Sequence, residues 1–340
     1  MRSLTRIKYN TWLSRQAELN QLAASDVHGH KFTVEPSVEQ TLEQRIQESS
    51  GFLSSINVVG VAEQSGEKLG LGIGGPIASN TDTGSTDRAT SDPSTLDKVG
   101  YLCTQTNSDT HLSYNKLDLW AKFPDFQTRI RDLIIQRRAL DRMLIGWNGT
   151  SRAATSNNVT SPLLQDVNKG WVQKLREGAP ARVMSEVVAA SGAVRVFSGG
   201  DYENLDQLVF DLVNNLIDPW YRESTDVRVI VGRELLADKY FPIIGSHAGT
   251  PTEAQALDML MSSLRIGGLP AVRVPYFPPN ALCITLLQNL SIYYQEGSTR
   301  RTVIDNPKRD RIETYESVNE AYVVEDFGAM CYCEHIDLSA

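Results

Sequence analysis

The chain has 340 residues, 41% of them hydrophobic and 22% charged, with a formal net charge of −8. No run approaches the roughly 18 apolar residues of a membrane span, and the acidic balance argues against a surface built to neutralise nucleic-acid phosphates. The N-terminal MRSLTRIKYNTWLSRQAELNQL lacks the continuous apolar stretch of a secretory signal, so synthesis and function in the cytoplasm are expected.

In chain order, the first object is a basic head. Residues 1–31 hold five Lys or Arg against two acidic residues, a balance of +3 that leaves −11 on the remainder. Leu4, Ile7, Trp12, Leu13, Leu19 and Leu22 give it an imperfect amphipathic stripe, and Ser25-Asp26-Val27-His28-Gly29-His30 breaks the pattern. A surface helix docked on its own domain fits this, and so does a detachable arm held by a partner.

A helix is predicted over Pro36–Leu53. Residues 57–117 then carry strands at each end, VVGVAE and TNSDTHLSYNKLDL, with more than 30 mostly polar residues between them. A loop that long is uncommon in a compact domain unless it has a job. Within it, residues 70–75 satisfy the G-x-G-x-x-G pattern of a dinucleotide-binding turn. That turn holds phosphate only between a buried strand and a helix, and TDTGSTDRATSDPS beyond it has no apolar period. A glycine-rich tip of a projecting hairpin is preferred.

The strongest helix signal follows. Phe123, Phe126, Ile130, Leu133, Ile134, Leu140, Leu144 and Trp147 recur at three and four, Pro124 suits a first turn, and Asn148-Gly149 ends the run. Its other face carries Arg129, Arg131, Arg137, Arg138 and Arg142 with Asp132 and Asp141, most simply a solvated face, with a phosphate-contact stripe as the alternative. Residues 150–200 read as linkers and short pieces. Beyond them, Leu205–Ile217 is a helix ended by Pro219, VRVIVG (227–232) a strand, and RELLADKYF and EAQALDMLMSSL helices. The tail is strand-dominated: AVRVPYF, ALCITLL, LSIYYQE, RTVID, RIETYESVNEAYVVEDF and AMCYCEHIDL. The class is α+β.

The search for chemistry is negative. There is no G-x-S-x-G elbow, H-E-x-x-H, Walker loop or C-x-x-C pair. Cys103, Cys283, Cys331 and Cys333 are expected as reduced thiols, three of them in strands. His28 and His30 lack a nearby carboxylate or thiol to complete a metal site. Asp118, Asp125, Glu325 and Asp326 lie at element boundaries, where capping explains them. No catalytic residue, cofactor or metal is assigned, and an enzyme would require a site assembled from distant residues.

Amphipathic arm, long hairpin, long helix, α/β centre and returning strands come in an order that resembles the tailed-phage major capsid proteins of the Hong Kong 97 fold. There these parts are the N-arm, E-loop, spine helix, A-domain and P-domain. The resemblance is closest to the P-two-like (Peduovirus type) phages. It is carried by KFTVEPSVEQTL (31–42), GEKLGLG (66–72), LDLWAKFPDFQTRIR (117–131), GDYENLDQLVFD (200–211), VIVGRELLADKYFPI (229–243), RIGGLPAVRVPYFP (265–278), LSIYY (290–294) and NPKRDRIETYESVNEAYVVED (306–326).

The resemblance implies a map: an N-terminal arm (1–31) removed on maturation, the N-arm remainder (32–56), an E-loop (57–117), the spine helix of the P-domain (118–150), mainly A-domain (151–289), and strands returning to both domains (290–340). It implies a virion protein that is assembled in the bacterial host cytoplasm as homo-pentamers and homo-hexamers of an icosahedral head. A scaffolding protein, a maturation protease, a portal protein and packaged double-stranded DNA would be its partners, with no membrane. Cleavage is expected near Lys31, Phe32 and Thr33, where His28-Gly29-His30 departs from the family. Lys68, Leu69, Gly70, Leu71, Gly72, Ile73, Gly74 and Gly75 are expected to lie across a neighbouring subunit. In the Hong Kong phage the E-loop lysine forms a covalent link to an asparagine; at Lys68 non-covalent contact is expected. Arg129, Arg131, Arg137 and Arg138 are candidate inter-subunit or interior charge partners. An encapsulin-like shell and a soluble enzyme with a non-local site remain the alternatives.

Overall fold

The helix expected from the apolar spacing at three and four runs Phe126–Asn148, 23 residues, and ends at Gly149, whose backbone N–H donates to Ile145 O. It belongs to a computed structural model that describes residues 1–67, 72–73, 78–85, 87–88, 90, 94–95, 100–123, 125–236 and 264–339. The chain divides into two units, each assembled from separated segments.

The first unit comprises Met1–Ser65, Leu102–Gln173 and Ser291–Val323. Its seven-stranded sheet is organised around Arg311–Val324. That strand pairs antiparallel with Arg300–Asn306, from Arg300↔Ser317 to Asn306↔Arg311, and also takes Thr104–Asn107 and Thr110–Ser113. Leu290–Gln295 extends the sheet and pairs in parallel with Asn57–Val61. Phe32–Thr33 adds a short edge against Arg301 and Arg300.

Close packing fixes the end of the long helix in this unit. Trp171 is wholly buried, with ring centroids 5.1 Å from Trp147 and 5.4 Å from Tyr322, and its indole N–H donates to Ser291 O at 2.9 Å. Only a glycine fits beneath it: a Cβ on Gly146 would fall inside the Trp171 ring's contact distance.

Two elements differ from expectation. Trp171–Gly178, expected as linker, is an eight-residue helix. The strand expected across residues 106–119 is two short strands followed by a helix, Tyr114–Trp120. Tyr114, Leu117 and Ala121 are spaced three and four apart, a helical period that the preceding alternation masks.

The second unit comprises Gly66–Tyr101, Lys174–Leu290 and Val324–Ala340. Its six-stranded sheet has the order 265–266, 269–272, 227–231, 282–286, 330–333, 183–184. Val227–Val231 runs parallel to one neighbour and antiparallel to the other, with Val227↔Leu286 to Val231↔Leu282. Helix Leu205–Leu216 is capped by Asn204, whose side-chain oxygen accepts from the Gln207 N–H at 2.9 Å. It packs Leu205, Leu208, Val209 and Leu212 into the core with Val229, Ile284, Cys331 and Cys333. All four cysteines are free and buried, and Cys283, Cys331 and Cys333 lie in strands. The helix expected over EAQALDMLMSSL and most of that over RELLADKYF lie outside the described residues.

Candidate functional site

In the first unit the basic head forms a helix, Ser3–Leu19, whose own N-cap, Arg2, makes no side-chain cap bond. One orphan donor at its start, the Arg2 N–H, is met from elsewhere in the chain together with the Thr5 hydroxyl. Asp118 Oδ1 accepts from the Arg2 N–H at 2.9 Å and from Thr5 Oγ1 at 2.6 Å. Those hydrogen bonds from Thr5 and Arg2 hold the Asp118 carboxyl below the usual carboxylate range. The favour is returned: Lys8 Nζ donates to Ala121 O at 2.5 Å, at the C-terminal end of the helix that carries Asp118. Each helix therefore satisfies an end of the other, with the anion at an N-terminus and the cation at a C-terminus.

A second carboxylate anchors the helix one turn on. Arg6 donates to Asp305 Oδ2 at 2.6 Å, and the Tyr114 hydroxyl donates to the other oxygen. Burial alone would raise the Asp305 carboxyl, yet Tyr114 and Arg6 prevail and hold it low. Beneath these polar contacts is one apolar cluster: Leu13, Ala17 and Val27 from the arm meet Leu117, Val303 and Ile312.

The residues expected at a cleavage site follow directly. Lys31 and Thr33 are exposed, while Phe32 is buried and paired opposite Arg301. Gly29, just before them, has φ +79°, a left-handed turn that glycine adopts without strain, and donates its N–H to Val303 O at 2.8 Å.

Of the expected loop contacts, Gly72–Ile73 forms a strand against Ser94–Thr95; Lys68, Leu69, Gly70, Leu71, Gly74 and Gly75 lie outside the described residues.

The arginine face divides. Arg131 is exposed and pairs with its neighbour Asp132 at 2.8 Å, and exposed Arg137 pairs with half-buried Asp141 at 2.7 Å, whose carboxyl burial pushes up. Arg129 lies within the helix. Arg138 and Arg142 are buried, which corrects the expectation of one solvated face. From residue 142 to 147 every position is buried, so this end of the helix has no outer face. Arg142 bonds Glu43 at 2.6 Å and Glu320 at 3.0 Å. Arg138 bonds Glu316, which Arg301 also holds at 2.7 Å. Glu43, Glu316 and Glu320 thus balance Arg138, Arg142 and Arg301. The sequence reading missed all of these carboxylates and Asp305 as partners.

Desolvation would raise the Glu316 carboxyl, but Arg301 and Arg138 outweigh it and keep it below the usual glutamate range. Glu316, Asp118 and Asp305 therefore bind protons more weakly folded than unfolded. Their stabilisation is complete above the ordinary carboxylate range and is lost as pH falls through the depressed values. The thermal midpoint is expected to drop steadily between about pH 5 and about pH 3; a flat profile from scanning calorimetry over that interval would contradict this.

Among the described residues no group of three His, Cys, Asp or Glu could hold a metal ion, and no helix is long and apolar enough to cross a membrane. What the chain presents is interlocking helices and a buried charge network. Comparisons with known proteins identify its family. A family model described as phage major capsid protein, P2 family, matches residues 8–336. The capsid protein of Escherichia phage P2 is 55% identical over 99% of this chain and 95% of its own length. The major capsid protein of Serratia phage KSP20 is 39% identical over 99% and 97%. Among solved structures, the satellite phage P4 procapsid including size determination (Sid) protein aligns with TM-score 0.81 at 51% identity, covering 100% of this chain and 99% of that one. The cyanophage A-1(L) capsid shares the fold, with TM-score 0.52 at 12% identity over 90% and 94%.

The fold is that of the Hong Kong 97-like phage capsid proteins. The chain belongs to the P2 family of phage major capsid proteins. It is a structural component of the virion that self-associates into the capsid shell, and not an enzyme.

Proposed function

We propose that this chain builds the pentamers and hexamers of an icosahedral head on a scaffolding protein in the host cytoplasm. A phage protease then removes residues 1–31 by cutting near Lys31, Phe32 and Thr33, before double-stranded DNA enters through a portal. In this reading residues 32–56 are the N-arm remainder, 57–117 the E-loop, 118–150 the P-domain segment that carries the spine helix Phe126–Asn148, 151–289 mainly A-domain, and 290–340 strands shared between A- and P-domain. Lys68 to Gly75 lie across a neighbouring subunit without a covalent link. Arg129, Arg131 and Arg137 are charge partners of neighbours or of the interior, and Arg138 serves inside the subunit.

The observation that carries the proposal is the break between arm and body. The arm's helix is anchored by Asp118 and Asp305, while Gly29 turns the chain and leaves Lys31 exposed beside the edge strand. Release of the severed +3 segment, a step separate from the cut, would leave a −11 body, which suits a container that must not grip its packed DNA. Co-expression with the scaffolding protein, with and without the maturation protease, tests both halves. Closed shells by negative-stain microscopy and a body mass beginning at residue 32 or within a few residues of it are expected. Small soluble particles in the presence of scaffold would sink the assembly step. Shells whose subunits keep Met1 despite active protease would sink the cleavage step.

A further inference from the structure

We propose that the seat under residues 1–31 is a peptide-binding groove, and that the arm stays in it as a non-covalent ligand once the chain is cut between Gly29 and Phe32. The inference rests on residues 1–31 being a distinct arm. It does not rest on natural processing, because the test supplies its own cut.

The contacts that hold the arm lie upstream of the cut. Arg2 and Thr5 bond Asp118, Arg6 bonds Asp305, Lys8 bonds Ala121 O, and Gln16 Oε1 accepts from Arg301 at 3.0 Å. Leu13 and Ala17 are almost fully buried and Val27 completely so. Tyr9, Trp12 and Leu22 pack against the same cluster. None of these contacts needs the peptide bond at residues 30–32 for its geometry. The groove has the chemistry of a receptor for a basic amphipathic helix: an apolar floor of Leu117, Val303 and Ile312 with a carboxylate at each of two successive turns of its guest. Departure would expose that floor to water and leave the first turn of the arm helix without its acceptor. Cutting the backbone alone does neither, so severing and release are separate events.

The test uses the full chain with a site-specific protease recognition sequence inserted after Gly29, where the next two residues, His30 and Lys31, are exposed. After complete cutting, the sample is passed over a size-exclusion column and the body fraction is analysed by mass spectrometry. The arm fragment is expected with the body at close to one-to-one. In a Thr5→Ala, Arg6→Ala chain, altered only on the arm, it is expected to dissociate about tenfold faster or more. A labelled synthetic peptide of residues 1–29 should enter the cut wild-type chain, and the same peptide with Arg6→Ala should compete about tenfold less well. Loss of the wild-type arm in one column pass would overturn the proposal. Equal retention of wild-type and variant arms would overturn the role given to the two carboxylates. The variants leave the body's sequence untouched, so a body that no longer folds is not an available explanation.

Discussion

Replacing Arg142 by Met is expected to destabilise the first unit by about 3–5 kcal/mol, the cost typical of removing one partner from a buried ion pair. The side chain is nearly fully buried and bonds two carboxylates, Glu43 and Glu320, from a helix and a strand that are far apart in sequence. With methionine there, Glu43 keeps only Arg138 at 3.8 Å, and Glu320 keeps a 3.4 Å bond from the Tyr322 hydroxyl. The penalty comes from stranding charge, not from the intrinsic strength of the pair. Arg142→Met combined with Glu43→Gln and Glu320→Gln should therefore regain part of the loss. Urea unfolding of the unassembled chain, followed by tryptophan fluorescence, measures both. A single variant within about 1 kcal/mol of wild type would show that the network contributes little.

Trp171→Ala is expected to cost a similar about 3–5 kcal/mol, here through an apolar cavity. The ring packs against Trp147, Phe52 and Tyr322, and its loss also removes the indole hydrogen bond to Ser291 O. The complementary change, Gly146→Ala, pushes a methyl into the same ring and should cost about 1–3 kcal/mol by overpacking. The double variant should be less damaging than the sum, because the added methyl occupies part of the space the ring vacates. Strict additivity in thermal midpoints would argue against direct packing of Gly146 on Trp171.

How much of this was legible depended on whether the signal was local. The long helix announced itself by apolar residues at three and four, and the tail strands by β-branched runs, because those periods are written into contiguous sequence. Trp171–Gly178 was not legible: eight residues with Trp171, Val172 and Leu175 are too few to separate a period from noise, and their meaning comes from Gly146 on another helix. The buried charges failed for the same reason. Nothing near Arg142 indicates that Glu43 and Glu320 will surround it, so an arginine row looked solvated. Asp118 looked like an acid at an element boundary, but it lies inside Tyr114–Trp120 and bonds the N-cap backbone of a helix 116 residues earlier. The family resemblance suggested an arm and a boundary for it, but the contacts that hold its helix come from residues too distant in the chain to be read locally.

The first unit is stitched from three lengths of chain, and its arm seat uses Val303, Asp305 and Ile312. The first helix to leave the ribosome must therefore wait for some of the last strands before it has anywhere to sit. Ordering contacts of that sequence separation is slow, and during the wait the arm's apolar stripe is uncovered. A chain broken off before residue 312 can never seat its arm, whereas a finished one can. A seated arm thus reports that translation has passed residue 312, and a lattice that recruits only seated subunits would exclude copies broken off before that point.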